Sequence, residues 1–513
     1  MAAQSITTDL TNIATAEPGT LGSWAALGGG ASGLSEETDY FVQGSTCISK
    51  QVKQETKGMH ADFGSSVSFG TGDHVFTWLN STTPGAADLR ANGGLRVTMG
   101  DSANARKEYY VNGSDNYRYG GWLCYPVDPG ATPDNPVGNA GTTPRYFGGI
   151  CSNSVTVKGI NFGVDVIRYG TGIDATGGGS PDPDITFADI AAANDLQANA
   201  WGVFQGSDTG GTLQGRIRIG ADDTSTSTTF GDVDAVVTKP NNNPADVNVK
   251  TASDFSGIII AGSNTTADFL GCLFQSLDTT DKGFFDSGSA TNAPSVYLDA
   301  CTFISWGATT LQTGTSVENC AFKNSSDVTL GGATLNESSF TDSGKVIGSL
   351  SDIQNCTFLA NGATTYAIET SDTGSVSLTG NTFTGYGSSG TATAAIHFTA
   401  TSGSVTVAVS GGAVPTFTSD GVSVTMTLST TLTLTGLIDD SEVRIYDAGT
   451  TTEVAGVENT SGGSFVAGIS VSSVDIVIHS LGYLNQRINA VDTSTDRTIP
   501  IQQTIDRQYE NPA

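Results

Sequence analysis

Apolar and polar residues alternate over short stretches along most of this chain, and clusters of Gly, Asn, Asp, Ser and Pro break the alternation every few residues. A period of two predicts strands with one buried face, and the brevity of each stretch predicts many of them. Between Leu270 and Phe383 the pattern tightens into a repeat: a small residue, one variable position, then phenylalanine. It reads Cys272-Leu273-Phe274, Cys301-Thr302-Phe303, Cys320-Ala321-Phe322, Ser338-Ser339-Phe340, Cys356-Thr357-Phe358 and Asn381-Thr382-Phe383. The phenylalanines step by 29, 19, 18, 18 and 25 residues. A repeat this short cannot bury its own apolar face and must stack on its neighbours, which predicts a right-handed parallel β-helix.

The flanks carry a different cadence. Segments at 40–43, 74–78, 95–99, 108–111 and 121–125 read as strands separated by turn clusters, the pattern of a lectin-like jelly roll or sandwich. Beyond Thr430, alternating segments such as 442–446 and 474–478 predict a small antiparallel sandwich of immunoglobulin-like or transthyretin-like type. The predicted fold is therefore all-β, in five parts: an N-terminal arm over 1–20, a lectin-like sandwich over 21–200, a parallel β-helix over 201–427, a C-terminal sandwich over 428–496 and a tail over 497–513. One stretch, Asp189 to Leu196, predicts a helix. The tail partly alternates, which suits an edge strand for a partner chain.

Composition narrows the function. The 513 residues carry 22 basic and 51 acidic side chains, a net charge of -29. Binding to phosphate backbones needs Lys and Arg, so nucleic acid is an unsuitable partner. No run approaches the ~18 apolar residues that a membrane span requires, and the start, Met1 to Thr15, lacks the basic and apolar regions of an export signal. The seven cysteines are an odd number, and none falls in a CxxC pair. Four of them hold one position of the repeat, where Ser338 and Asn381 replace them. That points to a buried ladder of small residues rather than a metal or redox site.

Candidate chemistry is sparse. Asp278, Asp281, Asp286 and Asp299 lie near the widest rung and are the candidate carboxylates for glycan cleavage. Lys282 is the only cation between Lys250 and Lys323, and a site that holds an acidic sugar needs positive charge. This lowers the enzymatic reading, and the expectation is a chain that is not an enzyme. Tyr109, Tyr110, Tyr117, Tyr119 and Trp122 are candidates to stack on sugar rings, against the commoner use of aromatics as core. Asp182, Asp184 and Asp189 offer oxygen ligands for Ca2+ without EF-hand spacing; no other cofactor is expected. The histidines, His60, His74, His397 and His479, form no metal motif.

The segments Glu442-Val-Arg-Ile-Tyr-Asp-Ala448, Thr452-Glu-Val-Ala-Gly456, Val474 to Tyr483 and Ile499-Pro-Ile-Gln-Gln503, with Gly22 to Leu34 near the start, resemble virion proteins of tailed bacteriophages, marine ones in particular. The resemblance implies a structural component of the particle surface, such as a capsid decoration, fibre or tail appendage. It implies assembly with other virion proteins, a homotrimer as the first expectation, and contact with host surface glycan. It carries over no catalytic residues. A tailspike-type glycan depolymerase or receptor-binding protein is the alternative, and an extracellular bacterial adhesin the second.

Overall fold

The computed structural model describes residues 3–27, 33–53, 55–81, 94–102, 104–111, 121–153, 160–179, 181–197, 203–207, 210–221, 227–231, 256–276, 282–410, 414–471, 473–493 and 495–506. They form two compact units, Met1–Ala333 and Thr334–Ala513. Strands dominate both, as the alternation predicts.

The first unit begins with an antiparallel sandwich. One sheet runs in the order Gly121–Val127, His74–Ser81, Ile160–Gly170, Cys47–Val52 and Ser35–Glu37, with Thr11–Ala14 added along Ile160–Gly170. The other runs Trp24–Leu27, Glu55–Asp62, Tyr146–Asn153, Leu95–Ser102 and Ala105–Tyr110. Alternate residues from both, among them Ile48, Leu79, Val97, Tyr125, Phe147, Phe162 and Val164, meet in one apolar core. Inside the second sheet, Glu108 is fully buried and neutralised. Arg96 and Arg106 both bridge its carboxylate, and Asn135 Nδ2 donates to it at 2.6 Å.

Parallel rungs follow directly. In the first unit one face stacks Gly172–Thr176, Arg216–Gly220, Gly257–Ala261, Phe284–Asp286, Thr309–Gln312 and Val328–Gly331. A second stacks Thr228–Phe230, Thr265–Leu270, Ser295–Asp299 and Thr315–Glu318, and a third Leu273–Gln275, Thr302–Ile304 and Ala321–Lys323. The solenoid therefore starts at Gly172, inside the stretch assigned above to the sandwich. The N-terminal arm is also part of the fold: Ser5–Thr8 pairs antiparallel with Gly172–Thr176 and closes the edge of the first rung. The helix spans Phe187–Gln197, and a reciprocal cap starts it. Thr186 Oγ1 donates to Asp189 Oδ2 at 2.7 Å, while Asp189 N donates back to Thr186 Oγ1 at 3.3 Å.

The second unit repeats the three-faced arrangement. Its rungs include Val346–Ile347, Ile368–Thr370, Ile396–Phe398 and Phe417–Ser419 on one face, and Ser339–Thr341, Thr357–Leu359 and Thr382–Thr384 on another. The long strand Ser423–Thr435 leaves the solenoid and enters the terminal sandwich. Its first half pairs parallel with Ser404–Ser410, and its second half pairs antiparallel with Ser464–Ile469. Arg497–Pro500 adds to the same strand, so the start of the expected tail is a strand of this chain's own sandwich. The opposing sheet runs Glu453–Val457, Glu442–Asp447, Ser473–His479 and Gln486–Asp492. Leu432, Val443, Ile445, Ile476 and Ile478 fill the core between the two.

The small-x-Phe repeat marks the third face in both units. The residue before each small position has positive φ: Gly271, Ala300, Asn319, Glu337, Asn355 and Gly380. Each trio is thus a short strand leaving a left-handed corner. In the first unit Phe274, Phe303 and Phe322 stack at 4.6 Å, with planes 10° and 4° apart. In the second, Phe340, Phe358 and Phe383 stack at 5.0 and 5.1 Å. The small residue closes the corner by donating to the carbonyl two residues back. Cys320 Sγ donates to Glu318 O at 3.2 Å, Cys356 Sγ to Gln354 O at 3.1 Å, and Ser338 Oγ to Asn336 O at 2.9 Å. Asn381 reaches the preceding rung instead, donating to Ile353 O at 2.8 Å. A thiol, hydroxyl or amide serves equally because the position needs a small buried donor. All seven cysteines are buried and unbridged, and burial pushes the Cys356 thiol up to about 11.

Candidate functional site

The first face of the first unit carries the chemistry. Along Gly215-Arg-Ile-Arg-Ile-Gly220 the alternation turns Ile217 and Ile219 into the core and leaves Arg216 and Arg218 outward. Register then builds two outward columns. Gly172, Arg216, Gly257 and Phe284 align in one, and Asp174, Arg218, Ile259, Asp286 and Thr310 in the next. Between them opens a groove of about 570 Å³, lined by Asp9, Asp174, Arg216, Arg218, Asp286 and Ser289 with neighbouring backbone.

Gly257 lies in the column beside the groove, next to Arg216. A Cβ there would stand 2.4 Å from Phe284 Cδ1, so its absence lets the Phe284 ring lie across the middle rung. The Arg216 guanidinium reaches that ring, with Cζ 5.6 Å from its centroid. At the groove's end, Asp9 is held rigidly. It accepts from Thr171 N at 3.0 Å, from Gly172 N at 2.9 Å and from Thr171 Oγ1 at 2.5 Å.

Two carboxyls in the groove hold protons more readily than usual. Burial raises the Asp174 pKa, the nearby Asp9 carboxylate adds to the rise, and Arg218 opposes it. Burial also raises Asp286, against the N–H of Gly288 donating at 2.9 Å. Burial lowers Arg216, with Asp9 opposing. Asp174 and Asp286 are three rungs apart in one column, roughly 14 Å at ~4.8 Å per rung. That is beyond the ~5–9.5 Å that separates the two carboxyls of a glycosidase pair. The carboxylate that acts on Asp174 is therefore Asp9, brought to it by the N-terminal strand.

Of the four acids expected to cluster, the two that are described lie on different faces. Asp286 lines the groove, while Asp299 ends a strand on the second face, where Asn319 Nδ2 donates to it at 3.0 Å. Asp278 and Asp281 lie outside the described residues. Of the aromatic candidates, Tyr109 belongs to the sandwich core, its hydroxyl donating to Ala131 O at 3.3 Å. Tyr110 has Arg96 over its ring at 5.6 Å. Trp122 is half-buried on the sheet's other face, and Tyr117 and Tyr119 lie outside the described residues. Of the Ca2+ candidates, Asp189 caps the helix, and no group of three or more His, Cys, Asp or Glu among the described residues is arranged to hold a metal ion.

Asp9, Asp174, Arg216 and Arg218 were missed as a site. The Arg-Ile-Arg alternation was the signal for the arginines, since period two puts both on one face. In the second unit a further cluster went unread. His397 Nδ1 and Nε2 lie 3.1 Å from Glu369 Oε2 and Asp420 Oδ1, Lys345 Nζ is 2.8 Å from Glu369, and Tyr366 stacks on the imidazole at 4.4 Å.

No family model and no curated protein matches this chain. Among solved structures it is similar to the catalytic domain of a GH87 alpha-1,3-glucanase variant in complex with nigerose. That match has 11% identity, covers 83% of this chain and 86% of that one, and has a TM-score of 0.24. The Agl-KA catalytic domain matches at 11% identity over 83% of this chain and 99% of its own, with a TM-score of 0.19. A xylan-binding domain from CBM 22 matches at 15% identity over 30% of this chain and 88% of its own, also at 0.19. With TM-scores this low, residue roles rest on the geometry above. The expectation of a non-enzymatic chain is corrected on the geometry of the groove, because its premise fails. Cations are scarce along the chain near Asp286, yet stacking brings Arg216 and Arg218 from earlier rungs into the same groove.

Proposed function

We propose that this protein binds and hydrolyses a glycan in the groove of its first solenoid face. The observation that carries the reading is the Asp174 carboxyl, whose hold on its proton is strengthened by burial and by the nearby Asp9, in a groove with two guanidiniums. A general acid must keep its proton near working pH, and burial beside a second carboxylate provides that. Asp174 donates its proton to the glycosidic oxygen as the bond to the anomeric carbon breaks. Water adds to that carbon, and Asp9 accepts the water's proton. Arg216, Arg218 and Asp286 hold substrate hydroxyls along the groove.

The terminal segments that resemble phage virion proteins support placing this activity on a particle surface, in a homotrimer that contacts other virion proteins and host glycan. Incubating the full chain with a panel of neutral and acidic polysaccharides, and assaying new reducing ends, tests the reading. Asp174→Asn should lower the rate at least about 100-fold, the usual scale of general acid catalysis, while Asp299→Asn should leave it unchanged. Full cleavage by Asp174→Asn, or none by the native chain, refutes it.

A further inference from the structure

The sandwich presents a second surface that the groove chemistry does not use. In the sheet containing His74–Ser81, the residues Trp122, Asn80, Gly163, Ser49 and Ser35 align across five strands, in register. Their neighbours along the strands, Leu79, Val164 and Ile48, enter the core, so this row faces away from it. Gly163 has no side chain, and a Cβ there would meet Trp122 Cη2 at 3.1 Å and Tyr40 Cε2 at 3.4 Å. The gap seats the two rings side by side, with centroids 6.2 Å apart and planes tilted by 45°.

The loop that brings Tyr40 is anchored from below. Asp165 Oδ2 accepts from Val42 N at 2.8 Å and from Gln43 N at 3.2 Å. Both rings are half-buried, and Phe41 between these anchors and Tyr40 is 41% exposed. Below the rings, Trp122 Nε1 and Asn80 Oδ1 are buried and have no hydrogen-bond partner among the described residues. Asn80 itself is 4% exposed. Buried polar atoms of this kind are uncommon, and ordered water or a ligand can meet them.

We propose that Tyr40 and Trp122, seated over Gly163 and flanked by Asn80, Ser49 and Ser35, form a non-catalytic binding platform for a neutral pyranose glycan. Aromatic faces take the flat C–H side of a sugar ring, and the exposed Ser35 hydroxyl, which shares a hydrogen bond with the buried Ser49 hydroxyl at 3.1 Å, suits its edge hydroxyls. The row bears no cation to hold a carboxylate or sulfate. Glu37 and Asp39 stand close enough to Tyr40 to act on its phenol, so an anionic sugar meets repulsion. The platform goes beyond the cleavage reading, because binding here requires no chemistry in the groove.

Affinity electrophoresis of the full chain in gels containing soluble xylan, mixed-linkage glucan, dextran or alginate tests it. The native chain should be retarded by at least one neutral polysaccharide and not preferentially by alginate. Trp122→Ala and Tyr40→Ala should each weaken retardation at least 10-fold. Trp122→Phe should restore most of it, which separates loss of the ring from loss of the fold. Asp299→Asn, outside both surfaces, should bind as the native chain does, and retardation is read whether or not new reducing ends form, so a failed groove and a failed platform give different results. Unchanged retardation of Trp122→Ala, equal losses in Trp122→Phe and Trp122→Ala, preference for alginate, or no retardation of the native chain overturns the proposal.

Discussion

Phe303→Ala should open a hole in the middle of a stacked column. Phe303 is fully buried and lies between Phe274 and Phe322, both 4.6 Å away and nearly parallel, with Trp306 edge-on at 6.3 Å. Truncating a buried Phe costs about 3–5 kcal/mol through lost transfer energy and the cavity left behind. The parallel faces fix the estimate toward the upper half, since each aromatic pair adds about 0.5–1.5 kcal/mol beyond its burial. Phe303→Leu keeps most of the volume but neither stack and should cost about 1–2 kcal/mol. A solenoid transmits stability between neighbouring rungs, so the loss should be local. Native-state hydrogen exchange on the amides of 273–275, 302–304 and 321–323 is the suitable assay, because it reads the opening free energy rung by rung. A loss below about 1 kcal/mol for Phe303→Ala, or one equal to that of Phe303→Leu, would show that the column contributes no more than scattered apolar burial.

Burial lowers His74 from 6.5 to about 4. The unfolded chain therefore gains a proton before the folded one does, and the stability present above pH 6.5 is lost as pH falls toward 4, by about 3 kcal/mol. Urea midpoints measured across that range should flatten in His74→Gln, and parallel curves for the two proteins would refute the assignment. Cleavage, by contrast, should fall as pH rises through the raised pKa of Asp174, since the acid form is the donor; a rate that increases there would exclude Asp174 as the donor. Glu108→Gln leaves Arg96 and Arg106 without their shared carboxylate on the buried outer face of the sheet and should cost about 3–5 kcal/mol in chemical denaturation. A loss under about 1 kcal/mol would show the cluster to be solvated.

The Cys/Ser/Asn-x-Phe spacing was legible because a stacked fold writes its rung length into the chain. Each corner must recur, and each phenylalanine must meet the one below. The interchange of Cys, Ser and Asn at one position likewise carried its own explanation, a small buried donor at a corner. The terminal sandwiches were legible from period-two alternation, although their limits were not. The polar arm reads as loose until its strand Ser5–Thr8 is seen pairing with a partner more than 160 residues away. The same long reach explains the candidate site. Asp286 and Asp299 are close along the chain, but a rung sends residues so spaced to different faces. Asp9, Asp174, Arg216, Arg218 and Asp286 are scattered over nearly 280 positions and share one groove.

The sequence by itself determined that this chain is all-β, that its middle stacks in rungs, and which residue types face inward. Those properties follow from local periodicity and burial. The tertiary structure alone decided which outward residues become neighbours. In a parallel solenoid, register between rungs sets proximity, and loops of unequal length between the rungs hide that register from the linear pattern.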